Sequence, residues 1–159
     1  RESGFRPLAY NPEARDTMER WACEVASRPD RWSANPDFAS TSEVCQRLRA
    51  GASKAAVLPL WRFGSTGLLQ ISRIVASERG GLPYSAPASV LFNQTTNLNV
   101  GSRVINSLRQ RLYDRTSLTD GEWSMVRAAY VGGPGILRSR PERAQEIARA
   151  FLVALRRYG

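Results

Sequence analysis

The chain has 159 residues, 42% of them hydrophobic, and a formal net charge of +9. This composition suits one folded domain with a substantial core and excludes a disordered chain, while no apolar run approaches the roughly 18 residues of a membrane span. Histidine is absent, which excludes the Ser-His-Asp and Cys-His hydrolases and the His-ligated zinc enzymes.

The positive charge comes almost entirely from arginine, because Lys54 is the only lysine. Such a surface favours polyanions: nucleic acid, anionic lipid or acidic cell-wall polymers. No basic stretch is interleaved with aromatic residues, so we predict no nucleic-acid partner. Arginines also cluster near the end of the chain, mostly on the polar side of a predicted helix, where a solvated face is the simplest interpretation: Arg138, Arg140, Arg143, Arg149, Arg156 and Arg157.

Apolar residues recur at steps of three and four along most of the chain. This spacing predicts five amphipathic helices, around residues 18–25, 44–48, 104–112, 123–130 and 144–155. No alternating run is long enough to support a sheet. The predicted fold class is therefore all-α, a mostly helical domain with at most a minor hairpin.

Helix boundaries and loops are also marked in the sequence. Thr119 with Glu122, and Ser139 with Glu142, have the spacing of a capping box, and Pro141 suits a first helical turn. Pro and polar residues predict irregular connections at residues 28–40 and 80–96. A cluster of three glycines and a proline is expected to end a helix abruptly: Gly132, Gly133, Pro134 and Gly135.

The two cysteines, Cys23 and Cys45, lie in neighbouring predicted helices. Without histidine or a CxxC pair they make a poor metal site. A disulfide is favoured if the protein works outside the cytoplasm, and two buried thiols are the alternative. No metal or organic cofactor is expected.

Four short segments follow one another in a fixed order at residues 2–9, 64–71, 97–101 and 128–135. The first contains Glu-Ser, an aromatic residue, a Pro and an Ala. The second reads Gly-Ser-Thr-Gly-Leu-Leu-Gln, and the last reads Ala-Tyr-Val-Gly-Gly-Pro-Gly. Together they resemble the SLT-type lytic transglycosylases of the lysozyme-like superfamily. Any one segment is weak evidence for the resemblance. Four segments in this order are strong evidence, and they span almost the whole chain.

The resemblance implies cleavage of the β-1,4 bond between the MurNAc and GlcNAc sugars of peptidoglycan, with Glu2 as the single acid/base. Glu2 would protonate the leaving oxygen and then take a proton from the sugar's 6-hydroxyl, which closes a 1,6-anhydromuramoyl ring. Independently of the family, a carboxylic acid can deliver this proton when a partly apolar site raises its pKa.

The resemblance also implies that Gln70 and Tyr130 bind the glycan, with a cleft between their elements and the Glu2 segment. Ser65 stands where the family commonly has Ala, and either offers a hydroxyl to the glycan or belongs to a tight turn. Tyr130 lies on an apolar stripe, so a purely structural role is the alternative. Asn97 is predicted to cap a helix.

The chain departs from the family pattern in three places. Val131 stands where the family usually has Asn, and Gly132 where it has Ala. The interval between the first two segments is far longer than in common members, so residues 11–60 are predicted to be an insertion within a single domain spanning residues 1–159. This insertion would shape a substrate groove or dock a partner of a secretion system, an envelope or a phage particle.

Two other functions stay open. A hydrolytic muramidase of the same fold would need a second carboxylate, for which Glu78, Asp114 and Asp120 are candidates. A non-catalytic peptidoglycan-binding or scaffold module is the other. The expected location is the periplasm, the cell envelope or a virion. Because the chain opens directly on a charged motif, we expect a domain trimmed from a longer, exported precursor.

Overall fold

The computed structural model describes residues 10–158, with side chains described for residues 10–154. It is 64% helical, with a single small sheet of two strands among the described residues. The predicted all-α class is therefore confirmed. The chain forms two compact units, Arg1–Gly101 and Ser102–Gly159. The single domain proposed for residues 1–159 stays a prediction.

The first unit carries short elements between its longer helices. In chain order they are β1 (Tyr10–Asn11), α1 (Arg15–Ala26), α2 (Pro29–Trp32), α3 (Phe38–Arg49), α4 (Lys54–Val57), β2 (Ser65–Thr66), α5 (Arg73–Glu78), the 3-10 helix η1 (Ala88–Phe92) and α6 (Gln94–Leu112), which continues into the second unit. The second unit adds α7 (Asp120–Gly132), α8 (Ile136–Ser139) and α9 (Pro141–Tyr158).

Helix α1 forms because its apolar residues fall on one side. Met18, Ala22 and Val25 are fully buried and lie three or four positions apart, which is the spacing of one helix face. A disulfide joins Cys23 of α1 to Cys45 of α3, with their Cα atoms 4.8 Å apart. The favoured disulfide is thereby confirmed, and it binds two helices of the predicted insertion to each other.

The two segments predicted to be irregular contain helix. Residues 28–40 include α2 and the start of α3, because Pro29 occupies the first helical position, where its fixed φ angle is favourable and its missing N–H costs nothing. Residues 80–96 include η1 and the first residues of α6. The sequence analysis treats Pro as a helix breaker in these segments, whereas Pro29 begins α2.

The second unit confirms one capping box and rejects the other. Thr119 and Glu122 cap α7 reciprocally, as predicted. Ser139 does not cap α9, because it still belongs to α8, where its hydroxyl donates to the carbonyl of Gly135 at 3.0 Å. Helix α7 ends at Gly132, as predicted, and Gly133 follows with φ of 78°.

Gly132 is explained by close packing in the second unit. A Cβ atom there would meet the side chain of Ile136, with 3.1 Å to its Cβ. Ile136 packs with Ala128 of α7 and Ala144 of α9 in the core of this unit. An Ala at this position would therefore require the side chain of Ile136 to move.

The sheet pairs residues that are far apart in sequence. Strand β1 runs antiparallel to β2, with Tyr10 opposite Thr66 and Asn11 opposite Ser65. The pairing is therefore not a hairpin between neighbouring strands. It brings together the two ends of the segment that the sequence analysis treats as an insertion.

A fully buried arginine organises the first unit. Arg73, at the start of α5, has no exposed surface. Its Nε donates to the carbonyl of Ala86 at 2.9 Å, and its Nη2 to the carbonyls of Pro83 at 2.6 Å and Tyr84 at 3.0 Å. Its Nη1 donates to the hydroxyl of Ser77. Burial lowers the pKa of Arg73 to about 10, against the attraction of Asp37.

The 29–37 segment completes the surroundings of Arg73. The guanidinium lies 5.2 Å from the ring centre of Trp32, within the range of a cation–π contact. Asn35 donates to the carbonyls of Tyr84 and Ala86 at 2.7 and 2.8 Å, and Asp37 accepts from the N–H of Ala88 at 2.8 Å. Polar contacts of the buried side chains Asn35 and Arg73 therefore hold residues 29–37 against residues 83–88.

We predict that Arg73→Ala lowers the free energy of unfolding by about 3 kcal/mol or more, because it removes several buried hydrogen bonds and the contact with Trp32 at once and leaves a cavity. Urea denaturation followed by tryptophan fluorescence measures this, since Trp32 lies against the guanidinium. The matched control is Arg49→Ala, an exposed arginine at the end of α3, for which we expect a change below about 0.5 kcal/mol. Equal losses in the two variants would contradict the role assigned to Arg73.

Candidate functional site

The predicted acid/base, Glu2, lies outside the described residues, as does the rest of segment 2–9. The structure describes the chain from Tyr10, the residue that follows this segment, and Tyr10 is already paired in β1. The predicted binding residues Ser65, Gln70 and Tyr130 are described. Ser65 and Gln70 belong to the first unit and Tyr130 to the second.

Ser65 and Gln70 lie on one tight turn. The N–H groups of Thr66 and Ile71 each donate to the carbonyl of the other residue at 3.1 Å, which closes residues 66–71 into a loop. Gln70 has φ of 50°, and its side-chain Nε2 donates to the carbonyl of Gly67 at 2.9 Å. Left-handed backbone is unfavourable for a residue with a side chain, so the contacts around the turn must hold Gln70 in place.

Asn97 holds this turn from α6. It is fully buried, and its Nδ2 donates to the carbonyls of Thr66 at 2.9 Å and Leu91 at 3.0 Å. Its Oδ1 accepts from the N–H of Leu69 at 2.9 Å. The predicted role of Asn97 as a helix cap is therefore wrong. Near the start of α6 it is Asn93 that accepts from a backbone N–H, that of Thr96.

The two glycines of the segment are required by close approach. A Cβ at Gly64 would lie 2.5 Å from the carbonyl oxygen of Asn11. A Cβ at Gly67, where φ is 76°, would lie 2.6 Å from the carbonyl oxygen of Leu91 and 2.7 Å from Cγ of Asn97. All three distances are shorter than van der Waals contact. Close packing therefore requires glycine at both positions.

The structure adds Glu13, a residue that the sequence analysis did not single out. Its Oε1 accepts from the N–H of Ser65 at 3.0 Å and also from the Ser65 hydroxyl. Nothing in the sequence marks this contact, because the two residues are 52 positions apart. The sequence shows only that Glu13 lies just before a predicted helix, and carboxylates are common at such positions.

Tyr10 lies beside this cluster. Its hydroxyl donates to the carbonyl of Trp61 at 3.0 Å. Burial raises the pKa of Tyr10 to about 12, with a smaller contribution from the negative charge of Glu13 and opposition from Arg62. The phenol is therefore neutral under physiological conditions and serves as a hydrogen-bond donor.

Tyr130 is half-buried in α7, with the guanidinium of Arg127 lying 5.8 Å from its ring centre. Burial raises the pKa of Tyr130 to about 12, against the attraction of Arg127. Val131, one position further, is 53% exposed. The position where the family usually has Asn thus faces solvent within the second unit.

Of the carboxylates considered for a hydrolase, Glu78 belongs to the first unit and Asp114 and Asp120 belong to the second. Glu78 forms an ion pair with Arg28 at 3.4 Å. Asp120 is exposed in the first turn of α7, and Asp114 is exposed in the segment before it. Within the first unit, Glu13 is the carboxylate that contacts the 64–71 segment through hydrogen bonds.

Two further features of the described residues concern metal binding and membrane insertion. In residues 10–158 no group of three or more Asp, Glu or Cys side chains is arranged to hold a metal ion. Among the helices described, none combines the length and the apolar character needed to cross a bilayer.

The chain matches no protein-family model, no curated protein and no solved structure. The resemblance of its four segments therefore stays a prediction from the sequence.

We predict that Gly67→Ala destabilises the protein by at least about 2 kcal/mol more than Gly51→Ala. Both glycines have positive φ, so both substitutions strain the backbone, but a Cβ at Gly51 meets nothing within 4 Å. The difference between the two variants therefore isolates the collision with Asn97 and Leu91. Thermal and urea unfolding measure it, and equal losses would contradict the fit of Asn97 over Gly67.

We predict that the phenols of Tyr10 and Tyr130 ionise near pH 12 in the folded protein. Because the folded pKa is raised above the ordinary 10.0, their contribution to stability is complete below pH 10 and is lost as the pH rises to about 12. Ultraviolet titration of phenolate measures this, with Tyr10→Phe and Tyr130→Phe each removing one phenol from the high-pH transition. A phenol lost instead from the transition near 10 would show that the side chain is not buried.

Proposed function

We propose that this protein is a peptidoglycan lytic transglycosylase in which Glu2 is the acid/base. Support for the proposal comes from the second and third segments of the resemblance. Asn97 of the third segment donates to the carbonyl of Thr66 in the second, and Tyr10, the residue that follows the first segment, pairs with the same Thr66. Chance similarity of the segments does not require these contacts.

The chemistry divides between one acid/base and a set of binding groups. Glu2 donates its proton to the glycosidic oxygen as the bond to the anomeric carbon breaks, and the resulting carboxylate then removes the proton of the 6-hydroxyl. The 6-oxygen closes on the anomeric carbon, so the products are an anhydro end and a new 4-hydroxyl, and no water is consumed. One carboxylate suffices because it is protonated again at the end.

The binding groups of the first unit are those of the 64–71 turn. Gln70 carries both a donor and an acceptor, which matches the acetamido and hydroxyl groups of an amino-sugar chain. In the second unit, the resemblance makes Tyr130 a glycan-binding residue. The exposed arginines of the second unit, Arg138, Arg140 and Arg149, would hold the protein on an anionic wall independently of the reaction.

The location and partners follow from this proposal. A disulfide is stable in an exported protein, and peptidoglycan is found in the bacterial envelope, where secretion systems and phage particles must also cross it. We propose that residues 11–60 act mainly on the groove, because their segment 29–37 binds the 83–88 segment through Asn35 and Asp37.

The deciding experiment is mass spectrometry of the soluble products from purified peptidoglycan. We expect muropeptides with 1,6-anhydromuramoyl ends, and a loss of at least about a hundredfold in their rate of release for Glu2→Gln, since the amide cannot transfer a proton. The matched control is Glu43→Gln, a carboxylate of α3 that is paired with Arg47 on the surface, which should leave the rate unchanged.

Other outcomes would replace the proposal. Reducing ends in place of anhydro ends would indicate a hydrolase, and Glu78→Gln, Asp114→Asn and Asp120→Asn would then identify the second carboxylate. Binding of the folded protein to insoluble peptidoglycan with no soluble product, alike in wild type and Glu2→Gln, would indicate a non-catalytic wall-binding module.

A further inference from the structure

The carboxylate of Glu13 reaches across 52 positions to one residue of the candidate groove. Its Oε1 accepts both the backbone N–H of Ser65, at 3.0 Å, and the Ser65 hydroxyl. An ionised carboxylate that accepts two donors makes stronger hydrogen bonds than a neutral acceptor. Ser65 is therefore held by its main chain and by its side chain at the same time.

Glu13 adopts an unfavourable backbone conformation to make this contact. Its φ is 63°, which lies in the left-handed region that residues with a Cβ seldom occupy. Its own N–H is held by Oδ1 of Asn11 at 3.3 Å. A strained conformation of this kind persists only when the surrounding contacts determine it, and such residues cluster at functional sites.

The turn that carries Ser65 and Gln70 is consequently held from two directions. Glu13 holds Ser65 at its start, and Asn97 accepts from the N–H of Leu69 next to Gln70. Asn97 is fully buried, so its hydrogen bonds determine the fold of the turn. Glu13 and Ser65 are only partly buried, so a ligand can reach the atoms that they control.

The direction of the Ser65 hydrogen bond has a chemical consequence. A hydroxyl has one proton and two lone pairs, and the proton of Ser65 is donated to Glu13. What Ser65 offers to a ligand is therefore an acceptor. Among the groups of an amino-sugar chain, this acceptor suits a hydroxyl or the N–H of an acetamido group, and it disfavours a carbonyl or carboxylate oxygen.

We propose that Glu13 is a positioning residue that orients Ser65 as a hydrogen-bond acceptor for a donor group of the glycan. This inference rests on the proposed function, because it names part of the way in which the same groove binds its substrate. Glu13 acts through Ser65 and takes no part in bond cleavage. The side-chain oxygen of Glu13 suits this role because it accepts from the N–H and the hydroxyl of Ser65 together.

The test measures binding of a purified chain of alternating GlcNAc and MurNAc residues to the Glu2→Gln protein, in which the glycan stays uncleaved. Titration calorimetry on this parent is compared with the same protein carrying Glu13→Ala, Ser65→Ala or both. We expect each single substitution to weaken binding about tenfold, the effect of losing one good hydrogen bond. The double substitution should weaken it no further, because both remove the same contact.

Glu13→Gln is the conservative variant. Its amide oxygen can still accept from Ser65, so we expect binding within about threefold of the parent. Glu19→Ala, which removes a carboxylate of α1 paired with Arg15, is the matched control and should not change the affinity. Circular dichroism confirms that each variant is folded before its affinity is measured.

The possible outcomes separate the inference from the proposed function. If the parent binds the glycan and Glu13→Ala binds equally well, or if the losses from Glu13→Ala and Ser65→Ala add, the positioning role is wrong while the proposed function stands. If the folded parent and the wild-type protein neither bind nor cleave the glycan, both fall. Release of reducing ends that is abolished by Glu13→Gln in the otherwise wild-type chain would make Glu13 a catalytic base and overturn its positioning role.

Discussion

The buried guanidinium of Arg73 is the interaction on which the first unit depends. A charged group without exposure is costly to bury, and it is tolerated because carbonyls of three residues, a hydroxyl and the face of Trp32 surround it. The same carbonyls also accept from Asn35, at Tyr84 and Ala86, and from the N–H of Ala86, at Pro83. The guanidinium therefore determines the path of this segment, and that path leads directly into η1 and α6.

Because Arg73 begins α5 directly after the 64–71 turn, the same network also constrains the candidate groove. Helix α6 supplies Asn97 to the turn, and the 83–88 segment that precedes this helix is held by Arg73 and Asn35. Residues 11–60 are consequently an integral part of the unit. They contribute most of the buried side chains of the core cluster that contains Trp32, Val44 and Leu48, and the disulfide ties the two helices that flank α2.

The polar side chains around the turn are of two kinds. One is buried and stabilises the turn, and the others are partly exposed to solvent. Asn97 is buried and satisfied on both its amide atoms, so its contribution is to structure. Glu13, Ser65 and Gln70 are only partly buried. The Ser65 hydroxyl donates its proton to the Glu13 carboxylate, which leaves the Ser65 oxygen as an acceptor. The proposed acceptor at Ser65 would suit a ligand rich in hydroxyl and acetamido groups better than one rich in carboxylates, although the arginines elsewhere attract negative charge.

The sequence by itself determined the helical class, the positions of the longer helices, the Thr119 cap and the break after Gly132. These depend on periodicity and on neighbours three or four positions away, which are local and can be read directly. It also marked Ser65, Gln70 and Tyr130 through the four segments. Only the tertiary structure decided that β1 pairs with β2, that Asn97 clamps a turn and does not cap a helix, that Arg73 is buried, and that Glu13 holds Ser65. Apart from the bonds of Arg73 to Ser77 and of Asn97 to Leu91, these contacts join residues 10 to 56 positions apart. At such separations no spacing rule relates the partners, because the packing of the whole unit determines which side chains meet.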